Sequence, residues 1–223
     1  MADFAHLSDG PVGLGRGLVL NVTADALSDL GLFAVCAGFA WHCLSAERGR
    51  AGIGVACVLI GVAAFLGVFR FSSWAGASEA VRGAHQFMAL VAAVGAFPIW
   101  AMSLAEPDSA VARRLRGAWW VTFVLAGAGV ALVVMGVKLW QQAVPLLCGL
   151  WIAYTMGMRR SGWSRWCGLT GALCLMATFA VALLIREPDT LVLGLLSKTQ
   201  MLHYLLAAAL LGTCWPTRSP APT

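Results

Sequence analysis

The sequence predicts an all-α integral membrane protein, a bundle of seven transmembrane helices with its N-terminus outside and its C-terminus in the cytoplasm. Three observations carry this. Of 223 residues, 60% are hydrophobic and only 11% charged, whereas a soluble domain carries about 25% charged residues. Mean hydropathy is +0.82. The apolar residues fall in runs of about 20, the length that crosses about 30 Å of hydrocarbon at 1.5 Å per residue.

In chain order, residues 1–25 read as an extracytoplasmic segment. Met1 to Asp9 holds Asp3, His6 and Asp9 but no basic residue, and no cleavage pattern follows the apolar Gly17–Leu20 stretch, so a secretory signal is not expected. Asn21-Val22-Thr23 matches a glycosylation sequon, a tripeptide common by chance. The spans are expected at 26–47, 51–71, 84–105, 117–137, 139–157, 165–185 and 191–215, forming one domain over 26–215. The seventh has a second register. Lys198 and Gln200 interrupt its outer half, and a Lys at mid-membrane costs about 2.5–3.5 kcal/mol. Starting the span at Ser197 and ending it at Trp215 places Lys198 at the headgroups and leaves 188–196 as a short outer interfacial segment. Residues 216–223 form a Pro-rich cytoplasmic tail.

Orientation rests on the 15 Lys and Arg. Arg48, Arg50, Arg113, Arg114, Arg116, Arg159, Arg160, Arg165 and Arg218 cluster in short loops and the tail on one side, which is therefore cytoplasmic. Arg16, Arg70, Arg82, Lys138, Arg186 and Lys198 fall on the other. Trp74, Trp119, Trp120, Trp140, Trp163, Trp166 and Trp215 lie near predicted span ends, as an aromatic belt requires. Ala34 with Gly38, Gly61 with Gly67, and Ala126 to Gly129 are expected to let backbones approach. Pro98 and Pro145 are expected to kink the third and fifth spans. The seven cysteines show no CxxC pair and read as small packing residues. The +5 net charge comes without a basic run, so no nucleic-acid partner is expected.

With charge so scarce, each ionisable group at membrane depth is a candidate for function. Ser28 and Asp29 open the first span at its outer end, and Arg70 closes the second on the same side. His85 and Gln86 open the third, and Lys198, Gln200 and His203 open the seventh. The candidate polar pocket is therefore Ser28, Asp29, Arg70, His85, Lys198, Gln200 and His203. Each has a plain alternative. Asp29 suits the first turn of a helix, Arg70 and Lys198 can snorkel to the headgroups, and His85 sits at an interface. A single hydrogen bond would satisfy His203. His42, beside Trp41 near the cytoplasmic end of the first span, reads as interfacial.

At these residues the chain resembles the seven-helix membrane hydrolases that include alkaline ceramidases and the progestin and adipoQ receptors, and looks closest to bacterial members. The first helix of that family opens with Thr/Ser-Asp-Leu; here it is Ser28-Asp29-Leu30. Its Gly-x-x-His-Gly-Phe stretch is here Gly67-Val68-Phe69-Arg70-Phe71-Ser72. Its Asn-His-Asn-Asp-Leu-Tyr-His pattern is here Ser197-Lys198-Thr199-Gln200-Met201-Leu202-His203. The resemblance implies a bacterial inner-membrane location and a lipid partner, anionic or sphingoid. In the family three His hold a zinc that activates water for amide hydrolysis, with Ser and Asp nearby. Of those ligand positions only His203 is kept; Arg70 and Lys198 occupy the other two. A catalytic zinc needs three protein ligands and an open position, and Arg stays protonated. No cofactor is therefore expected, the residual metal candidates being His203 with His85.

The expected function is a non-catalytic lipid-binding protein or membrane partner subunit. The alternative is an active lipid amidase with a rearranged site. Two further alternatives are a haem subunit ligated by His42 and His203, and a transporter, for which no internal repeat is seen.

Overall fold

Within hydrocarbon every backbone N–H and C=O needs a partner inside its own segment, so long apolar runs coil into helices. The structure, a computed structural model, describes residues 16–45, 51–72, 79–105, 124, 127–185, 191–192 and 195–214. Its helices are α1 (Arg16–Ser45), α2 (Ala51–Phe71), α3 (Glu79–Val91), α4 (Phe97–Ala105), α5 (Lys138–Arg159), α6 (Gly162–Leu184) and α7 (Lys198–Cys214), and residues 127–134 are also helical. A small antiparallel ribbon, β1 (Leu191–Val192) and β2 (Leu196–Ser197), pairs Leu191 with Ser197 directly before α7. Ala24–Ser45, Gly52–Phe71, Glu79–Leu104 and Gly162–Leu184 are long and apolar enough to cross a membrane, by length and composition.

Two predicted boundaries change meaning. The first helix starts at Arg16, not at residue 26; the apolar run marks where lipid would begin, while helical hydrogen bonding continues through more polar residues. The last helix starts at Lys198, which agrees with the shorter register. Arg48, Arg50, Arg113, Arg114, Arg116, Arg186, Arg218, Trp74, Trp119, Trp120, Trp215 and the tail lie outside the described residues, as does much of the expected fourth span.

Pro98 acts in an unexpected form. It has no N–H to offer the carbonyl of Val94, and its ring crowds that oxygen. The chain answers with a π-helical turn over Ala92–Ala96, where the Phe97 N–H bonds Ala92 O five residues back. α3 and α4 thus form one rod. Pro145, by contrast, lies buried within an uninterrupted α5.

Between residue 134 and α5 the chain stops with a Schellman motif. Val137 N–H reaches Leu132 O and Gly136 N–H reaches Val133 O, both at 2.9 Å. Gly136 holds φ at +95°, the left-handed value that an L side chain rarely adopts.

The helices pack as a closed ring. α1 lies against α2, α2 against the α3–α4 rod, α4 against α5, α5 against α6, α6 against α7, and α7 against α1. Small residues set the closest crossings. A Cβ on Gly212 would meet Cys167 O at 2.7 Å and Gly171 Cα at 2.8 Å, so α6 and α7 touch backbone to backbone there. Gly61 serves the α1–α2 crossing, where an added Cβ would lie 3.2 Å from Cys36 Cβ. Gly38 serves no crossing among the described residues: none of their atoms stands within 4 Å of its virtual Cβ.

Trp100, Ile60, Ile152, Leu175 and Leu210 fill the interior, while Trp41, Leu147, Trp163 and Leu184 stand exposed around the outside. Apolar surface on that scale suits lipid rather than water. Three hydroxyls within the helices are satisfied locally: Ser103 donates to Ile99 O, Thr178 to Cys174 O and Thr213 to Ala209 O.

Candidate functional site

The polar residues gather at one end of the ring. α1 enters it at Asp25 to Asp29, α2 leaves it at Arg70, α3 begins there near His85, and α7 begins there with Lys198. A cavity of about 380 Å³ opens between these four helices, lined by Asp25, Asp29, Arg70, His85, Lys198 and His203. Below the polar groups its wall is apolar: Leu32 from α1, Ile60, Ala63 and Ala64 from α2, Ala89 and Phe97 from the α3–α4 rod, and Leu206 from α7. The spacing Asp25, Asp29, Leu32 is one helical face, as is Lys198, Leu202, Leu206. Alanines on α2 and α3 leave the room that larger side chains would fill.

His203 joins α7 to α1. Its Nδ1 lies 3.0 Å from Ser28 Oγ, and its Nε2 lies 3.3 Å from Asp29 Oδ1. The proton positions follow from the partners. Ser28 Oγ is 2.7 Å from Asp25 O, a carbonyl that can only accept, so the single hydroxyl proton goes there. His203 Nδ1 must then be the donor to Ser28. One proton remains to be held between Nε2 and the Asp29 carboxyl.

Asp29 is fully buried, and neither carboxylate oxygen receives a hydrogen bond among the described residues. It fits because α2 presents Gly67 opposite it: a Cβ there would lie 2.5 Å from Asp29 Cγ. That is a contact no side chain at 67 can share.

Asp25 is a second anchor. Its Oδ1 accepts from Ser197 Oγ at 2.5 Å and from Gln200 Nε2 at 2.8 Å, and Ser197 Oγ also accepts from the Gln200 N–H at 3.2 Å. Ser197 and Gln200 are buried, so this triad fixes the ribbon and the first turn of α7 to α1.

The cations have separate partners. Arg70 Nη1 donates to His85 Nδ1 at 2.9 Å, which puts the proton of a neutral His85 on Nε2. Its guanidinium also stands 4.9 Å from the centre of the Phe71 ring. Lys198 Nζ donates to Ala182 O at 3.3 Å and to Ile185 O, closing the C-terminal end of α6. Among the described residues neither cation pairs with Asp29; His203 Nε2 stands beside its Oδ1 instead.

The sequence-derived set thus converges, with two adjustments. Gln86 is exposed, one residue round the helix from His85. Asp25 and Ser197 belong to the cluster and were missed, although Asp25 lies four residues before Asp29 and so on the same face. His42 is exposed about four turns, or about 21 Å, further along α1 than the point where His203 packs; the two cannot ligate one haem iron. Arg70 and Lys198 occupy ligand positions of the resembled family, His85 Nδ1 faces a guanidinium, and no group of three His, Cys, Asp or Glu is placed to hold a metal among the described residues. The residues present do not fit a zinc of that type.

In comparison with known proteins, the chain matches no family profile, no curated sequence and no solved structure.

Proposed function

We propose that this is a seven-span membrane protein that binds an amphiphile in the pocket at the outer end of the bundle and does not hydrolyse it. The supporting observation is the shape of the cavity: cationic and hydrogen-bonding groups at one end, and an apolar wall running inward between the helices. Its volume of about 380 Å³ falls in the range of small-ligand pockets, about 300–1,000 Å³. Arg70 supplies the anion contact. A guanidinium carries five N–H donors suited to phosphate or carboxylate, and His85 takes one.

Seven crossings are supported by where the ends fall. α2 and α6 finish at the polar end, and α1, α3 and α7 begin there. The chain leaves Ala105 and reaches Gly162 on the opposite side, so residues between them return to the side they left. Two crossings joined at Gly136 meet that requirement. The Arg asymmetry favours an outside position for the polar end, and the resemblance to bacterial ceramidase-like proteins favours an inner membrane.

Against hydrolysis stands the disposition of Ser28. Its proton points to a backbone carbonyl and its neighbour His203 donates to it, the reverse of nucleophile activation. Native mass spectrometry of protein purified in mild detergent tests the proposal. Wild type should carry a phosphorus-containing amphiphile that Arg70→Gln loses while still eluting as a folded, monodisperse peak. Equal lipid content in both, or amide-lipid cleavage abolished by His203→Ala, would overturn it.

A further inference from the structure

Asp29 stands in the wall of the cavity with Oδ1 3.3 Å from His203 Nε2 and with Oδ2 lacking a partner among the described residues. Lys198 is directed at the end of α6, Asp25 at Ser197 and Gln200, and His203 Nδ1 at Ser28. What the cavity still offers a guest is the remaining donors of Arg70, the Nε2–H of His85, the Thr199 hydroxyl and, as the carboxylate oxygen without a partner among the described residues, Asp29 Oδ2. A buried acceptor left unmet is costly, and Asp29 has no exposed surface through which bulk water could serve it. Two of these groups come from facing positions, Asp29 on α1 and Arg70 one helical turn beyond Gly67 on α2, where Gly67 packs on the Asp29 carboxylate.

We infer that the pocket selects a single-chain amphiphile whose head joins an anionic phosphate to a hydrogen-bond-donating ammonium, the phosphoethanolamine type. The phosphate meets Arg70, the ammonium donates to Asp29, and the chain runs along the alanines of α2 and α3. A trimethylammonium head carries the same charge but has no N–H to give, so it leaves Asp29 unmet. One chain, rather than two, suits a cavity of about 380 Å³ whose lining extends about 10–18 Å along each helix, taken from the residues between its polar and apolar ends. This inference rests on the reading of the pocket as an amphiphile site and adds its selectivity.

The test uses the full-length protein in maltoside micelles with dodecylphosphoethanolamine and dodecylphosphocholine as probes, titrated by intrinsic Trp fluorescence. Wild type should bind the ethanolamine probe roughly tenfold more tightly, the scale of one charge-assisted hydrogen bond. Asp29→Asn should bring the two affinities to within about twofold, whereas Arg70→Gln should weaken both alike. Equal binding of the two probes by wild type, or a preference unchanged by Asp29→Asn, would overturn the selectivity while leaving the amphiphile site in place. Binding of neither probe would overturn the site itself. The wild-type comparison needs no variant, so a misfolded Asp29→Asn does not blunt it.

Discussion

Replacing Gly67 by Ala should destabilise the protein, although the same exchange at Gly38 should stabilise it. A Cβ at 67 comes within 2.5 Å of Asp29 Cγ and 2.6 Å of Oδ1, far inside van der Waals contact. Asp29 has little room to retreat, since His203 Nε2 stands 3.3 Å from it on the other side. Overpacking of this kind costs about 1–3 kcal/mol, partly offset by the roughly 0.4–1 kcal/mol that Gly→Ala returns by restricting the unfolded chain. Gly38→Ala is the internal control. Its virtual Cβ meets nothing within 4 Å, so only the favourable part applies. At about 2–4 °C per kcal/mol for a chain of this size, Gly67→Ala, with a net loss of up to about 2.6 kcal/mol, should lower the melting temperature by up to about 10 °C, and Gly38→Ala should raise it by about 1–4 °C. Thermal unfolding in detergent, followed by fluorescence of the ten tryptophans, reads both. If the two variants shift in the same direction, the packing of Asp29 against α2 is not as described.

Other perturbations have equally definite outcomes. Asp25→Ala strands Ser197 and Gln200, both buried, and should cost about 2–4 kcal/mol while speeding amide hydrogen exchange over residues 195–200; unchanged exchange there would dissociate Asp25 from the ribbon. Lys198→Met removes the cation from the end of α6, with an expected loss of about 0.3–1 kcal/mol and faster exchange confined to residues 183–185. Gly212→Leu drives a side chain into the α6 backbone at Cys167 and Gly171, and monodisperse protein should no longer be recovered from size-exclusion chromatography. Normal recovery would place the α6–α7 crossing elsewhere.

The fold was legible where lipid dictates it. Hydrophobic runs of spanning length became helices where the structure describes them, and the cost of Lys at mid-membrane moved the expected start of the last span to Ser197, one residue before the helix begins at Lys198. The candidate cluster was legible for the same reason: ionisable residues are so rare in this chain that those near the span ends converge almost by elimination. What the sequence hid were long-range assignments. Lys198 could be placed at headgroup depth but not on the carbonyls of Ala182 and Ile185, a pairing that depends on how α6 and α7 cross. Asp25 was set outside the first span because an acid beside an apolar run reads as solvated, whereas α1 continues through it and turns it onto the face of Asp29. The glycines show the limit most plainly. Gly38 and Gly67 look alike in sequence, yet one meets open space and the other a carboxylate. Gly171 and Gly212, the tightest α6–α7 crossing, carried no signal that distinguished them from the chain's other glycines.

The claim on which the rest stands is that the bundle crosses a bilayer with its polar end facing out. Leu195, 80% exposed beside the ribbon that leads into α7, marks that end, and Cys36, Cys43, Cys57, Cys148 and Cys214 are buried. A membrane-impermeant maleimide applied to right-side-out vesicles should label Leu195→Cys well above the wild-type background. Labelling that requires the vesicles to be opened first would contradict the orientation.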